Sequence, residues 1–190
     1  PTIVYEMNKT YQFRLYPNKT QKSILNEQLE ECRLLYNLLL QQRRDAWAND
    51  KKIINNYSQC KYITQLKIEN TKLTKMYTQV LQNVAVRVDL AFKAFFRRVK
   101  AGKQPGYPRF KGRDGYDSFT YPQSGYKVTN EGLKLSKIGT LKIKLHRPIT
   151  GTIKTCTIRR QNNKWYACFA CEVEPTMLPP TGKSIGIDVG

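Results

Sequence analysis

The sequence predicts an α+β fold in which a bundle of helices interrupts a small β-barrel. Three observations lead to this prediction. One alternating segment stands near the start, long segments with helical spacing follow it, and short alternating segments fill the chain after residue 102. The isolated first strand needs partners, and the later segments are the only strands available to it. The simplest arrangement is one barrel that carries the helices as an insertion.

The first strand and first helix are predicted from two different periodicities. In KTYQFRLYPN apolar and polar side chains alternate, so one face should be buried. The apolar face consists of Tyr11, Phe13 and Leu15, and the other of Gln12, Arg14 and Tyr16. Pro17 and Asn18 end the strand and begin a helix that closes at Asp50. Its stripe consists of Leu25, Leu29, Cys32, Tyr36, Leu39, Arg43 and Trp47.

Two more helices are predicted before residue 102. The first takes Ser58 as its N-cap and buries Ile63. The second runs from Thr74 to Lys100, and Gly102 is its C-cap. Its apolar stripe consists of Tyr77, Leu81, Val84, Val88, Ala91, Phe95 and Val99. No helix can hide such a stripe alone, so the three should pack as one bundle.

The chain changes character after Gly102. KQPGYPRFKGRDGYDS is rich in Gly, Pro and charge, which predicts an irregular connection. The strands that follow are predicted at SFTYP, YKVTN, LKLSKIGTLKIKLH, GTIKTCTIRRQ and KWYACFACEVE. Asn162 and Asn163 should form the hairpin turn between the last two. MLPPTGK is then a linker into SIGIDVG, a short strand that presents Asp188.

The strong positive charge points to a polyanionic partner. Lys and Arg total 33 against 14 Asp and Glu, for a net charge of +19. Nucleic acid is the expected partner, with an anionic membrane as the alternative. No apolar run approaches the ~20 residues that span a bilayer, and no signal-peptide pattern is present. We expect a cytoplasmic protein without a small-molecule substrate; the oligomeric state is not indicated.

Basic side chains concentrate between residues 100 and 160, where only Asp114, Asp117 and Glu131 oppose them. Lys142 and Lys144 alternate with aliphatic residues and should share one strand face. A solvated face is one explanation, but the lack of interspersed acids favours phosphate contact. The proline-stiffened PGYPRFKGR loop has the same character. The candidate phosphate-binding residues are Arg109, Lys111, Arg113, Lys134, Lys142, Lys144, Arg159 and Arg160.

Motifs for chemistry are few. His146 is the only histidine and has no nucleophile context. Cys168 and Cys171 are three apart in a strand, so they should face opposite sides, and we expect no zinc site. The five cysteines fit reduced thiols. Nothing has helix-turn-helix or zinc-finger form. Asp188 is either an ordinary strand-end residue or a single metal-binding carboxylate, too few for two-metal catalysis.

Several segments, in order, resemble the TnpB family of transposon-encoded RNA-guided DNA nucleases, which are related to type V CRISPR effectors. They are YQFRLYPNKTQ with RLLYN, QNVAVRVDLAFKAFFRRVKAGKQPGYPRFKGR, LKLSKIGTLKIKLHR, TIRRQNNKWYACFACEVE and GIDVG. The resemblance runs from about Met7 to Gly190.

The resemblance implies a domain plan and an incomplete nuclease site. Residues 7–17 and 103–178 would form an oligonucleotide-binding-like barrel called WED, and residues 18–102 the helical recognition insertion called REC. Residues 179–190 would be a linker and the first strand of a RuvC nuclease domain. Asp188 would be its first Mg²⁺ ligand in the full-length protein. The family's other ligands lie beyond Gly190, so this part alone should neither cleave DNA nor need a cofactor.

The resemblance also implies guide RNA and target double-stranded DNA as partners, in a prokaryotic nucleoid. The positions that would read a short DNA motif are Tyr57, Lys61, Thr78, Gln82 and Thr120. Gln82 suits bidentate contact with adenine edges, and the alternative is that it simply faces solvent from the helix. Two other functions remain open. One is a stand-alone RNA-guided repressor without enzymatic activity, and the other is a DNA-only transposition accessory protein.

Overall fold

Strands and helices follow the predicted order. The computed structural model describes residues 7–174. The strands are β1 Met7–Tyr16, β2 Ser118–Tyr121, β3 Tyr126–Thr129, β4 Gly132–Leu135, β5 Gly139–Lys144, β6 Thr152–Gln161 and β7 Lys164–Val173. The helices are α1 Lys19–Asp50, α2 Asn56–Glu69, α3 Thr71–Thr74 and α4 Thr78–Lys100, and a 3₁₀ turn covers Arg113–Gly115. The alternating strand predicted at SIGIDVG lies outside the described residues.

The sheet confirms the predicted α+β class. Its strand order is β2-β6-β7-β1-β5-β4-β3, and every pairing is antiparallel. The result is a nearly closed seven-stranded barrel. β1 lies between β7 and β5, so the lone first strand does pair with later ones. Asn162 and Asn163 have φ values of 49° and 58°, as expected of a two-residue hairpin turn.

One hydrophobic core joins the barrel to the helices. Tyr11, Phe13 and Leu15 are buried, as their alternation predicts. The helices bury their stripes against one another and against β2, which α4 contacts directly. Asn18 caps α1 through a reciprocal pair of bonds with Gln21, which explains the helix start. None of the helices between residues 7 and 174 is long and apolar enough to cross a membrane.

The structure corrects the predicted starts of two helices. α2 begins at Asn56 with Asn55, not Ser58, as N-cap, because the Asn55 side chain accepts a hydrogen bond from the Ser58 backbone N–H at 2.9 Å. The helix predicted from Thr74 begins instead at Thr78 as α4, and Thr74 is the last residue of the short helix α3. The chain turns between them so that Tyr77 packs on Tyr121 and its hydroxyl bonds Ser124 at 2.8 Å. Tertiary contacts therefore outweigh local helix preference here.

Two predicted stripes extend too far. Trp47 and Val99 are exposed, and so is Leu145, which follows β5. Burial in α1 ends at Arg43 and in α4 at Phe92, and the last turns of both helices, residues 47–50 and 97–100, are exposed. The buried face of α4 is also rotated from the predicted stripe, because it includes Val80, Ala85 and Phe92 instead of Ala91 and Phe95.

A buried polar network connects α1, α2 and α4. Arg43 donates from Nε to Gln59 Oε1 at 2.9 Å and from Nη1 to Asp89 Oδ1 at 3.1 Å. Gln59 is fully buried and donates to the Leu39 carbonyl at 2.8 Å. Burial alone would raise the pKa of Asp89, but hydrogen bonds from Lys93 and Arg43 outweigh it and hold that pKa below its usual value.

A glycine at the start of β4 is required by the sheet, which gives the first testable prediction. Gly132 has φ +142°, and a Cβ there would lie 2.3 Å from the Leu141 carbonyl oxygen. Gly132→Ala should lower the free energy of unfolding by about 3 kcal/mol through backbone strain and this clash. Gly139→Ala is the control, because Gly139 has φ +102° but open space around it. Equal losses in urea unfolding would show that the clash contributes nothing.

Candidate nucleic-acid interface

The outer face of the barrel carries a continuous row of basic and aromatic side chains. The strand registers place Lys144 opposite Arg14, Arg14 opposite Tyr166, and Tyr166 opposite Arg159. These positions alternate with the buried ones on every strand. We call the basic members of this surface the outer basic face: Arg14, Lys127, Lys134, Lys142, Lys144 and Arg159.

The charges on this face are poorly compensated. Lys127 lies directly opposite Lys134, an arrangement that costs stability unless an anion is present. Neither of them, nor Lys142 nor Lys144, forms an ion pair with a residue among 7–174. Arg159 differs, because its Nε bonds Asp117 at 2.8 Å. The β3–β5 side of the face therefore has the stronger uncompensated charge.

Aromatic rings interleave with these cations. The Arg14 guanidinium lies 5.5 Å from the ring centre of Tyr16 and 5.2 Å from that of Tyr166. Tyr16 is about half exposed, at 49%. Alternation along β1 places Arg14 and Tyr16 on its polar face, but it gives no reason to choose them as candidate nucleic-acid contacts. Their link to Tyr166 needs the strand register, which the sequence alone does not supply.

The basic loop between α4 and β2 is fixed to α1. Asn37 Oδ1 accepts from the Lys111 N–H at 2.7 Å, and Asn37 Nδ2 and Arg33 both donate to the Lys111 carbonyl. Arg44 lies over the rings of Tyr107 and Phe110. Among the predicted phosphate contacts, Arg109, Lys111 and Arg113 are exposed, and Arg160 is half-buried, donating to Asn26 at 3.1 Å.

This anchoring gives a second testable prediction. Asn37→Ala removes the two hydrogen bonds that the Asn37 side chain forms with the Lys111 backbone and leaves the one from Arg33, so the Lys111 amide should exchange its hydrogen about tenfold faster. Gln41→Ala, one turn further along α1, removes only a contact with Asp45 and is the control. Hydrogen exchange followed by NMR measures both. Unchanged exchange at Lys111 would mean that Arg33 and the stacked rings hold the loop without Asn37.

The predicted motif-reading residues fall on two elements of the helical part and one strand. Tyr57 and Lys61 are one turn apart on α2, with Lys61 Nζ 4.7 Å from the Tyr57 ring centre. Thr78 and Gln82 are one turn apart on α4, which packs on α2. Lys67 of α2 donates to Thr78 at 2.7 Å. These four positions therefore belong to one pair of packed helices.

Thr120, on strand β2, is hydrogen-bonded to helix α4 by Arg87, a residue that no sequence pattern gave reason to select. Arg87 of α4 donates to the Thr120 hydroxyl at 2.9 Å and to the Ser118 carbonyl at 2.6 Å. Thr120 also bonds Thr157 on β6 at 2.8 Å. Arg87 thus connects α4 to the edge of the sheet. Its position between the two buried residues Val84 and Val88 gave no sequence signal for this role.

The predicted metal ligand Asp188 lies outside the described residues. Within residues 7–174 no group of three or more His, Cys, Asp or Glu side chains could hold a metal ion. Cys171 is buried with the inner residues of β7 and Cys168 alternates with them, as the strand prediction required. Burial raises the pKa of both thiols, so neither is an activated nucleophile.

Comparison with known proteins adds a family and two relatives. A family model described as a helix-turn-helix domain, HTH_OrfB_IS605, matches residues 7–52. A putative RNA-guided DNA endonuclease, InsQ of Escherichia coli K12, is 28% identical over 96% of this chain and 45% of its own length. A putative RNA-guided DNA endonuclease of Streptomyces pristinaespiralis is 27% identical over 99% and 47%. The chain spans about half the length of these relatives.

These matches confirm the resemblance to the TnpB family. Sequence analysis found no helix-turn-helix pattern, whereas the matched family model has that description. The matched residues fold as one strand, β1, and one long helix, α1. Among solved structures, a chain of the Cas12f1-sgRNA-target DNA complex aligns with 89% of this chain and 49% of its own, at 17% identity and a TM-score of 0.48.

Proposed function

We propose that this chain is the nucleic-acid-binding part of an RNA-guided DNA endonuclease of an insertion sequence. The observation that supports it is the outer basic face, whose lysines lack acidic partners among the described residues and whose cations alternate with aromatic rings. Such a surface suits an RNA backbone and its unpaired bases. The curated relatives, named as putative RNA-guided DNA endonucleases, support the same function.

In this proposal the barrel and the helical insertion bind different nucleic acids. The barrel, residues 7–17 and 103–178, holds the guide RNA on its outer face and on the anchored loop. The helical insertion, residues 18–102, reads a short motif in double-stranded DNA. Tyr57, Lys61, Thr78 and Gln82 contribute from α2 and α4, and Thr120 contributes from the sheet edge. Base pairing with the guide supplies the remaining specificity.

Cleavage belongs to the longer protein in this proposal. Asp188, in residues 179–190, would be one carboxylate ligand of Mg²⁺, and the other ligands would come from sequence beyond Gly190. The metal would supply activation of water for phosphodiester hydrolysis. Residues 7–174 contribute binding and orientation of the nucleic acids.

The experiment that tests this function is to purify the chain from cells that carry its native locus and to sequence the RNA that accompanies it. One enriched transcript that maps to the transposon end is the expected result. RNA of random origin, or no RNA, together with tight binding of duplex DNA, would contradict the proposal and favour a DNA-only accessory protein. A native gene that ends near Gly190 would favour a guided repressor without nuclease activity.

A further inference from the structure

Two residues that line a cleft beside the end of β1 carry buried hydrogen-bond donors that have no partner within residues 7–174. The cleft has a volume of about 180 Å³, and its lining includes Arg14, Tyr16, Lys22, Asn163 and Trp165. Arg14 Nη1 and Trp165 Nε1 are buried, and neither forms a hydrogen bond with another described residue. Trp165 is only 2% exposed. Both orphaned donors therefore belong to residues that line the same small cleft.

A buried donor without a partner is costly, and more so when it is charged, so an ordered water or a ligand is expected to accept a hydrogen bond from it. Ordered water satisfies some of these groups in proteins. The cleft, however, combines a guanidinium, an indole N–H and the Lys22 ammonium, three groups that donate and never accept. No carboxylate among residues 7–174 lines it, so its chemistry selects a ligand with several acceptors and negative charge.

The surroundings narrow the ligand to a nucleotide. Arg14 is a member of the outer basic face and lies directly opposite Lys144, so a backbone bound along that face reaches the cleft. Tyr16 lines the cleft with a half-exposed ring, and Arg14 lies over that ring. An exposed tyrosine beside a phosphate site is a platform on which an unpaired base stacks.

We propose that this cleft is a single-nucleotide subsite for RNA. One phosphate accepts hydrogen bonds from Arg14 Nη1 and Trp165 Nε1, Lys22 supplies a second positive charge, and the attached base stacks on Tyr16. The inference rests on the proposed function, namely that the chain binds RNA. It adds three residues, Arg14, Lys22 and Trp165, to the candidate phosphate contacts.

The indole N–H of Trp165 gives a direct readout. The chain contains two tryptophans, so a ¹⁵N-labelled sample has two indole signals, and Trp47→Phe assigns them. The probes are inorganic phosphate, uridine and a uridine octamer RNA. We expect the octamer and millimolar phosphate to shift the Trp165 signal, whereas uridine leaves it unchanged. Trp47 lies outside the cleft and its signal is the internal control.

A matched pair of variants tests the role of Arg14. Arg14→Gln and Lys9→Gln each remove one positive charge from β1, but only Arg14 lines the cleft. We expect Arg14→Gln to raise the Kd for the octamer about tenfold, because it loses a charge-assisted hydrogen bond, and Lys9→Gln about twofold at most. Fluorescence anisotropy of a labelled octamer measures both, and circular dichroism confirms folding.

The outcomes separate this inference from the proposed function. If the octamer does not bind the wild-type chain at low salt, the RNA-binding function is wrong. If it binds, but the Trp165 signal stays in place and the two variants weaken binding equally, the subsite is wrong and the function stands. A shift with phosphate but not with the octamer would mean an adventitious ion only. A shift with uridine but not with phosphate would overturn the phosphate assignment.

Discussion

Replacing both Lys142 and Lys144 with glutamate should weaken RNA binding roughly 30- to 100-fold at ~0.1 M salt. Each lysine that leaves a phosphate removes one counterion-release contribution, and the new carboxylates repel the backbone. The slope of log Kd against log salt should fall by roughly 1.5 for the same reason. The fold should survive, because residue 144 faces Arg14 across the strand pair and opposite charges are favourable there.

The control for this double variant has the same change in net charge, but at two lysines outside the outer basic face. Lys51 and Lys52 are exposed and belong to the connection between α1 and α2, outside the barrel strands. Replacing these two with glutamate should weaken binding only a fewfold through the changed overall field. Affinity measured across a series of salt concentrations compares the two proteins. Equal effects would mean that RNA responds to net charge alone and that the outer basic face is not the binding surface.

Arg43→Met should lower the free energy of unfolding by about 3 kcal/mol, which is a large part of a typical domain's stability. The substitution leaves the Gln59 side-chain oxygen buried without a donor and removes one cation from Asp89. Asp89 keeps Lys93 as a partner at 2.9 Å, which limits the loss. The methionine retains most of the packing, so lost polar contacts account for most of the effect.

Arg44→Met is the matched control, measured in the same urea unfolding experiment. Arg44 is the next residue of α1, is exposed, and contacts only the rings of Tyr107 and Phe110 among the interactions that the structure describes. Its loss should cost about 1 kcal/mol or less. If both variants lost the same small amount, the polar network would contribute no more to stability than a surface cation–π pair.

Local patterns predicted most of the fold and only part of the candidate site. β1 followed from alternation, and the 162–163 turn followed from a dipeptide that tolerates positive φ. The start of α2 was misplaced because Asn55 and Ser58 are both good N-caps, and only the hydrogen bond from the Ser58 backbone N–H to the Asn55 side chain distinguishes them. The α3–α4 break depends on where Tyr77 packs, which is information from distant residues.

Local sequence patterns predicted even less of the candidate nucleic-acid interface than of the fold. The alternation of Lys142 and Lys144 was visible in one segment, so these residues were selected. The row from Lys144 through Arg14 and Tyr166 crosses strands that are far apart in sequence, and pairing register has no local signature. Arg87, which bonds Thr120 from between two buried valines, was missed for the same reason.

The central place of β1 has a consequence for synthesis on the ribosome. β1 pairs along its length with β7, and Leu15 meets Trp165, about 150 residues later. At ~5–20 residues per second, β1 waits roughly 10–30 s for that partner. The helices, whose contacts are closer in sequence, have time to form first and to shorten the loop that must close. In refolding of a Trp47→Phe variant, we expect helical circular dichroism to recover before the fluorescence of Trp165. Simultaneous recovery would show that the helices do not form ahead of the β1–β7 pairing.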